Sequence, residues 1–237
     1  MSQLNLRRYA LWQFRDFIRE RAIALLLVGF LIGFTVVGPV RAMGHLNEAM
    51  SERLLSGILV QVPFILAFIA LNGIVSNDRK LGYFRFLFSK PVGVPAYYAQ
   101  IFVIYFVGFL LVCAILLGIF SVFAHPVAPF GPLVFCALVF LSFGGVAFLV
   151  SSLFRHDWPI LAAIFLGSSI LSYMWRFDTG IKRMILSVLP PIYNLPEMVP
   201  LLMQGEPLDV NNVLWLLGYS AFCFVAGLLV LRRRPFA

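Results

Sequence analysis

At 237 residues, 62% apolar and only 12% charged, the chain falls outside the range of soluble domains, in which about 25% of residues are charged. Charges are absent from long stretches, and what lies between those stretches is too little for a soluble domain. The formal net charge of +8 would point to nucleic acid in a soluble protein, but its distribution, taken up below, excludes that reading.

Residues 1–21 come first. Over residues 4–21 a helical wheel gathers Leu4, Leu11, Phe14 and Ile18 on one side, with Phe17 at its edge, and Arg8, Arg15 and Arg19 on an adjacent ridge. This predicts a cytoplasmic amphipathic helix at the membrane surface, an interfacial elbow before the first span. The five arginines preceding an apolar run with no small-residue cleavage site suit a retained span rather than a signal peptide.

A spanning helix needs about 20 mostly apolar residues for a hydrocarbon core of roughly 30 Å. Six segments qualify: Ala22–Val40, Gly57–Ser76, Ala96–Phe123, Pro132–Phe154, Trp158–Trp175 and Val213–Leu231. The expectation is an all-α integral membrane protein whose residues 22–237 form one six-span domain. Gly29 and Gly33 in span one, and Ala163 and Gly167 in span five, are small residues four apart. Such pairs let helices approach closely in lipid, within one subunit or between two. Ser168, Ser169 and Ser172 in span five are expected to bond back to their own helix. Cys113, Cys136 and Cys223 all lie inside spans and read as packed thiols.

The external segment 177–212 is too apolar for a solvated loop and carries Pro190, Pro191, Pro196 and Pro200. Short re-entrant helices before span six are expected there, since non-helical backbone at that depth must be buried in protein.

Thirteen of the eighteen Lys and Arg fall on one side of this layout. They are Arg7, Arg8, Arg15, Arg19 and Arg21; Arg79, Lys80, Arg85 and Lys90; Arg155; and Arg232 to Arg234. The other side holds Arg41, Arg53, Arg176, Lys182 and Arg183. By the positive-inside rule both termini are cytoplasmic. The basic charge is therefore topology, and no nucleic-acid partner is expected.

No span interior contains Asp, Glu, Lys, Arg or His, which disfavours ion-coupled transport. The chain has no HExxH, no G-x-S-x-G and no G-x-x-x-x-G-K-[ST] phosphate loop. No enzyme activity, metal or cofactor is expected in it, and energy for pumping would have to come from another protein.

The connection between spans two and three, residues 77–91, is the segment that such a protein would meet. Read as a helix, residues 79–90 put Leu81, Phe84, Leu87 and Phe88 on one face, suited to lipid. Arg79, Tyr83, Phe86 and Lys90 lie on the other, where aromatic and basic residues together suit a protein groove. Gly82, Phe86-Leu87-Phe88-Ser89, Lys90-Pro91-Val92 and Tyr97 or Tyr98 match a stretch of the form E-x-E-x-G-T-x-x-x-L-L-S-x-P-V-x-x-x-x-Y. On these residues and the six-span layout, the chain resembles the membrane subunits of ATP-binding-cassette (ABC) transporters of the type-2 exporter permease family. It departs from them at the acidic pair (Asp78 and Lys80 here), the threonine (Tyr83) and an early span-three lysine (Gln100).

The resemblance implies a permease subunit in a prokaryotic inner membrane, paired as a homodimer within a four-subunit complex. Gly29, Gly33, Ala163 and Gly167 would pack the dimer. Residues 77–91 would be a coupling helix docked on a separate ATPase that holds the ATP and Mg, and the cargo would be hydrophobic or amphipathic. The alternative is a non-transporting scaffold or assembly factor that binds a cytoplasmic partner.

Overall fold

The structure is a computed structural model. It describes residues 3–44, 47–76, 78, 93–124, 126–154, 156–175, 182 and 189–233. Among these residues every regular element is helical: α1 (Gln3–Phe17), a π-helical turn (Ile18–Ala22), α2 (Ile23–Ala42), α3 (Glu48–Leu71), α4 (Val94–Phe123), α5 (Phe130–Leu153), α6 (Asp157–Met174), a 3-10 turn (Pro191–Asn194), α7 (Leu195–Gln204) and α8 (Val210–Arg233). Six helices are long and apolar enough to cross a membrane. That is the architecture of an all-α membrane protein, each expected span lying within one observed helix to a few residues at either end.

The helix ends follow from local chemistry. Asn47 caps α3, its side-chain oxygen accepting from the Met50 amide at 2.8 Å, and Asp209 caps α8 by accepting from Asn211 at 3.0 Å. Helix α7 ends in a Schellman turn. Gly205 takes φ +71 and the Glu206 amide returns to the Leu201 carbonyl at 2.8 Å. Pro39, Pro63 and Pro200 sit inside helices.

The junction before span one is helical throughout. Phe17 and Ile23, on either side of the π-helical turn, both keep right-handed helical dihedrals. Gln3 to Ala42 is thus one continuous helix. Leu11, Trp12 and Ile18 are exposed on it, whereas Gln13, Phe17 and Arg21 are buried.

The chain forms two compact units, the first of Met1–Ala70, Val103–Phe140 and Pro196–Leu208, the second of Leu71–Phe102, Leu141–Leu195 and Asp209–Ala237. In the first, Phe17 packs on Tyr105 with ring centroids 5.1 Å apart, and Phe106 and Phe109 both meet Phe140. In the second, Phe224 lies against Phe102 and Phe148 at 4.8 and 4.6 Å. Gly145 lets α8 close on α5, because a Cβ there would run into the Ser220 backbone carbonyl. Ser220 Oγ donates to the Leu141 carbonyl and accepts from the Gly145 amide at 3.2 Å. It thereby enters the i→i−4 ladder of α5, a way for one helix to grip another where water is absent.

Candidate functional site

Arg79, Tyr83, Phe86 and Lys90, the residues expected to dock a partner, lie outside the described residues. What the structure does describe is the base from which that segment springs, all of it within the second unit. Helix α3 ends at Leu71, and Gly73 turns the chain with φ +74. This turn frees backbone amides that no helix satisfies, and buried amides need partners.

Two side chains supply them. The Asp157 carboxylate, fully buried in the first turn of α6, accepts from the Gly73 amide at 3.1 Å. Ser151 Oγ, near the end of α5 and equally buried, accepts from both Val75 and Ser76, at 3.1 and 3.0 Å. One hydroxyl uses both lone pairs on adjacent amides. Asp157 also sits at the end of its helix where a negative charge is favoured.

A third contact closes the segment from its far side. Tyr98 in α4 is fully buried and its hydroxyl donates to Asp78 Oδ2 at 3.0 Å. Tyr97 meets the Tyr98 ring edge-on at 5.2 Å. Asp78 precedes the 79–92 segment and Tyr98 follows it, so this bond ties the two ends together. The residues that precede 79–92 are thus held by α4, α5 and α6 at once.

The sequence did not single out Ser151 or Asp157. Asp157 stood in a tight turn with no sign that it is buried, and a serine near a helix end resembles any other. The one available signal was an acidic residue at the first position of an otherwise apolar helix. Tyr98 was visible as one of two tyrosines matching the family pattern.

The first unit carries a different set of contacts. Arg21 is 8% exposed. Its guanidinium donates to the carbonyls of Ile69 and Ala70 at 3.0 and 2.6 Å and lies 5.1 Å from the centre of the Tyr105 ring. Those carbonyls belong to the last turn of α3, where a cation is favoured. Arg21, counted from sequence among the cations before span one, is a buried cap. Arg41 does the same for α4, donating to the carbonyl of its last residue, Phe123, and lying over that ring at 5.7 Å.

Beside Arg41 is a cavity of about 660 Å³ within this unit, lined by α2, α3 and α4 with Cys136 of α5, and almost wholly apolar. Gly33 faces it, with nothing within 4 Å of where a Cβ would stand. Gly29 is filled from within the chain, since a Cβ there would overlap Leu116. On α6, Ala163 is exposed and Gly167 half-exposed, and a Cβ on Gly167 would again meet nothing within 4 Å. Leu166, Ile170 and Tyr173 share that stripe and are 64%, 58% and 86% exposed.

Ser168 bonds to its own helix at the Ile164 carbonyl, 2.6 Å away, as expected. The three cysteines are free and buried. Among the described residues no three His, Cys, Asp or Glu side chains come together as a metal cluster would. No protein-family model matches the chain, and no curated protein matches it.

Proposed function

We propose that this chain is the membrane-spanning subunit of an ATP-driven ABC exporter, energised by a separate ATPase. The observation that carries the reading is the triple anchorage of the residues flanking 79–92, through Gly73–Asp157, Val75 and Ser76–Ser151, and Asp78–Tyr98. A loop that only joins two spans has no need of buried polar bonds to three other helices. A loop that must pass motion from a soluble motor into the spans needs a stiff root.

On this reading Arg79, Tyr83, Phe86 and Lys90 face the ATPase on the cytoplasmic side, and the ATPase carries ATP and Mg. Two copies pair, Ala163 and Gly167 on the exposed stripe of α6 offering a notch between the larger Leu166, Ile170 and Tyr173 for close approach. The apolar character of the spans favours a hydrophobic or amphipathic cargo. The exposed Leu11, Trp12 and Ile18 on α1 support contact of that helix with lipid.

The test is co-purification with the ATPase encoded beside this chain, followed by ATP hydrolysis by the complex. Reversing charge in an Arg79→Glu, Lys90→Glu double variant is expected to weaken assembly by at least about tenfold, as loss of interface charges does, with membrane insertion unchanged. Assembly at wild-type strength would refute the docking assignment. Capture of a non-ATPase partner through the same residues would favour the scaffold reading instead.

A further inference from the structure

The cavity beside Arg41 is not used by the coupling scheme and needs an occupant. It lies wholly within the first unit, its lining along α2 running from Gly29 to Arg41. Twelve residues of helix rise about 18 Å, slightly more than one leaflet of a hydrocarbon core of roughly 30 Å. Its volume of about 660 Å³ falls in the range of pockets that enclose a single ligand, about 300–1,000 Å³. Its depth and chemistry are those of one acyl chain.

The end of the cavity is not apolar. Arg41 stands there, exposed, fixed by the Phe123 carbonyl and ring, and in no ion pair among the described residues. One of its five N–H donors is used by that carbonyl, so the others are free to meet an anion. Along the flank of α2, Leu27, Phe30, Leu31 and Phe34 are 58%, 39%, 58% and 53% exposed. A two-chain lipid could lay its second chain on this surface; a single-chain amphiphile would leave it bare.

We propose that the cavity is a binding site for an anionic bilayer phospholipid, one acyl chain inserted between α2, α3 and α4 and the headgroup held by Arg41. The site requires only that the helices span a membrane. It stands whether or not the chain is an exporter.

Full-length protein, stripped of lipid in detergent, is titrated with phosphatidylglycerol, phosphatidylcholine or palmitate and bound lipid is counted by native mass spectrometry. The wild type is expected to retain one phosphatidylglycerol per chain and to prefer it to phosphatidylcholine about fivefold, the effect of one cation on one anionic headgroup. Gly33→Leu fills the cavity from a position where a Cβ meets nothing, and is expected to weaken phosphatidylglycerol binding by at least about tenfold by displacing methylenes of the chain. Arg41→Gln is expected to abolish the preference while both phospholipids still bind. Arg53→Gln, a control outside the lining, is expected to change neither. Thermal stability of each variant, measured alongside, separates loss of the site from loss of the fold.

Unaltered phosphatidylglycerol binding in Gly33→Leu would overturn the proposal, as would an unaltered preference in Arg41→Gln. Palmitate displacing phosphatidylglycerol at equal concentration would assign the cavity to free amphiphiles and overturn the choice of a bilayer lipid.

Discussion

In the first unit the loose backbone ends are carbonyls, those of Ile69 and Ala70 in the last turn of α3 and of Phe123 at the end of α4, and guanidinium groups of Arg21 and Arg41 take them. In the second unit the loose ends are amides, those of Gly73, Val75 and Ser76, and oxygens of Asp157 and Ser151 take them. Both units thus satisfy the rule that buried backbone needs partners where water is absent. The difference lies in the stiffness of the answer. Arginine reaches its carbonyls on a long stem with many rotamers, whereas serine and aspartate are short and lock helices at close range. The carbonyl-capped unit holds an open cavity, and the amide-capped unit holds the residues that flank 79–92.

The largest effect is therefore expected from Ser151→Ala, which removes the oxygen that accepts from the buried Val75 and Ser76 amides. It is expected to cost about 2 kcal/mol of stability and to raise hydrogen exchange at Val75 and Ser76 selectively. Thermal unfolding in detergent and exchange mass spectrometry would read both; protection unchanged at those amides would break the comparison. Arg21→Met is expected to cost less, about 1 kcal/mol, because losing the cap is partly offset by no longer burying a charge. If its loss exceeded that of Ser151→Ala, the guanidinium caps would be the stiffer device. Ser168→Ala sharpens the contrast from below, since that hydroxyl bonds only to its own helix. A change within about 0.5 kcal/mol is expected in the same unfolding assay.

The spans were legible because lipid imposes a length and a composition that survive in sequence. Five of the six predicted runs coincide with an observed helix to within three residues at the ends, whereas Gly57–Ser76 overruns α3, which stops at Leu71 before the Gly73 turn. Ser151, Ser168 and Ser220 mark the limit of that reading. All three are serines in apolar helices, yet one holds a turn, one returns to its own helix and one enters a neighbour's ladder. Periodicity gives the face of a helix but not the backbone that will meet it. The capping role of Arg21 was not legible for a related reason. Charge counting assigned it to a side of the membrane, and a cation that caps a buried helix end sits on the same side as one in water. Asp157 escaped notice because a tight turn is where acidic residues ordinarily meet solvent. In the 79–92 segment the residues named from the wheel have no counterpart among the described contacts, but Asp78 and Tyr98 at its two ends do.

The π-helical turn Ile18–Ala22 has a consequence of its own. Gln13, Phe17, Arg21, Leu25 and Gly29 are buried at every fourth position, a spacing that in an ordinary helix drifts about 40° with each step. Over these sixteen residues the drift would reach about 160°, carrying Gln13 to nearly the opposite side from Gly29. The wide turn, with its i→i+5 bonds, holds back about one residue's rotation, roughly 100°, and keeps the stripe facing inward. Length and phase are thereby uncoupled. A chain lacking one residue between Ile18 and Ala22 would be shorter by only about 1.5 Å, yet Phe17 would leave Tyr105 and the whole preceding helix would present another side. The N-terminal helix is set by a count of residues, and this turn is where the count is kept.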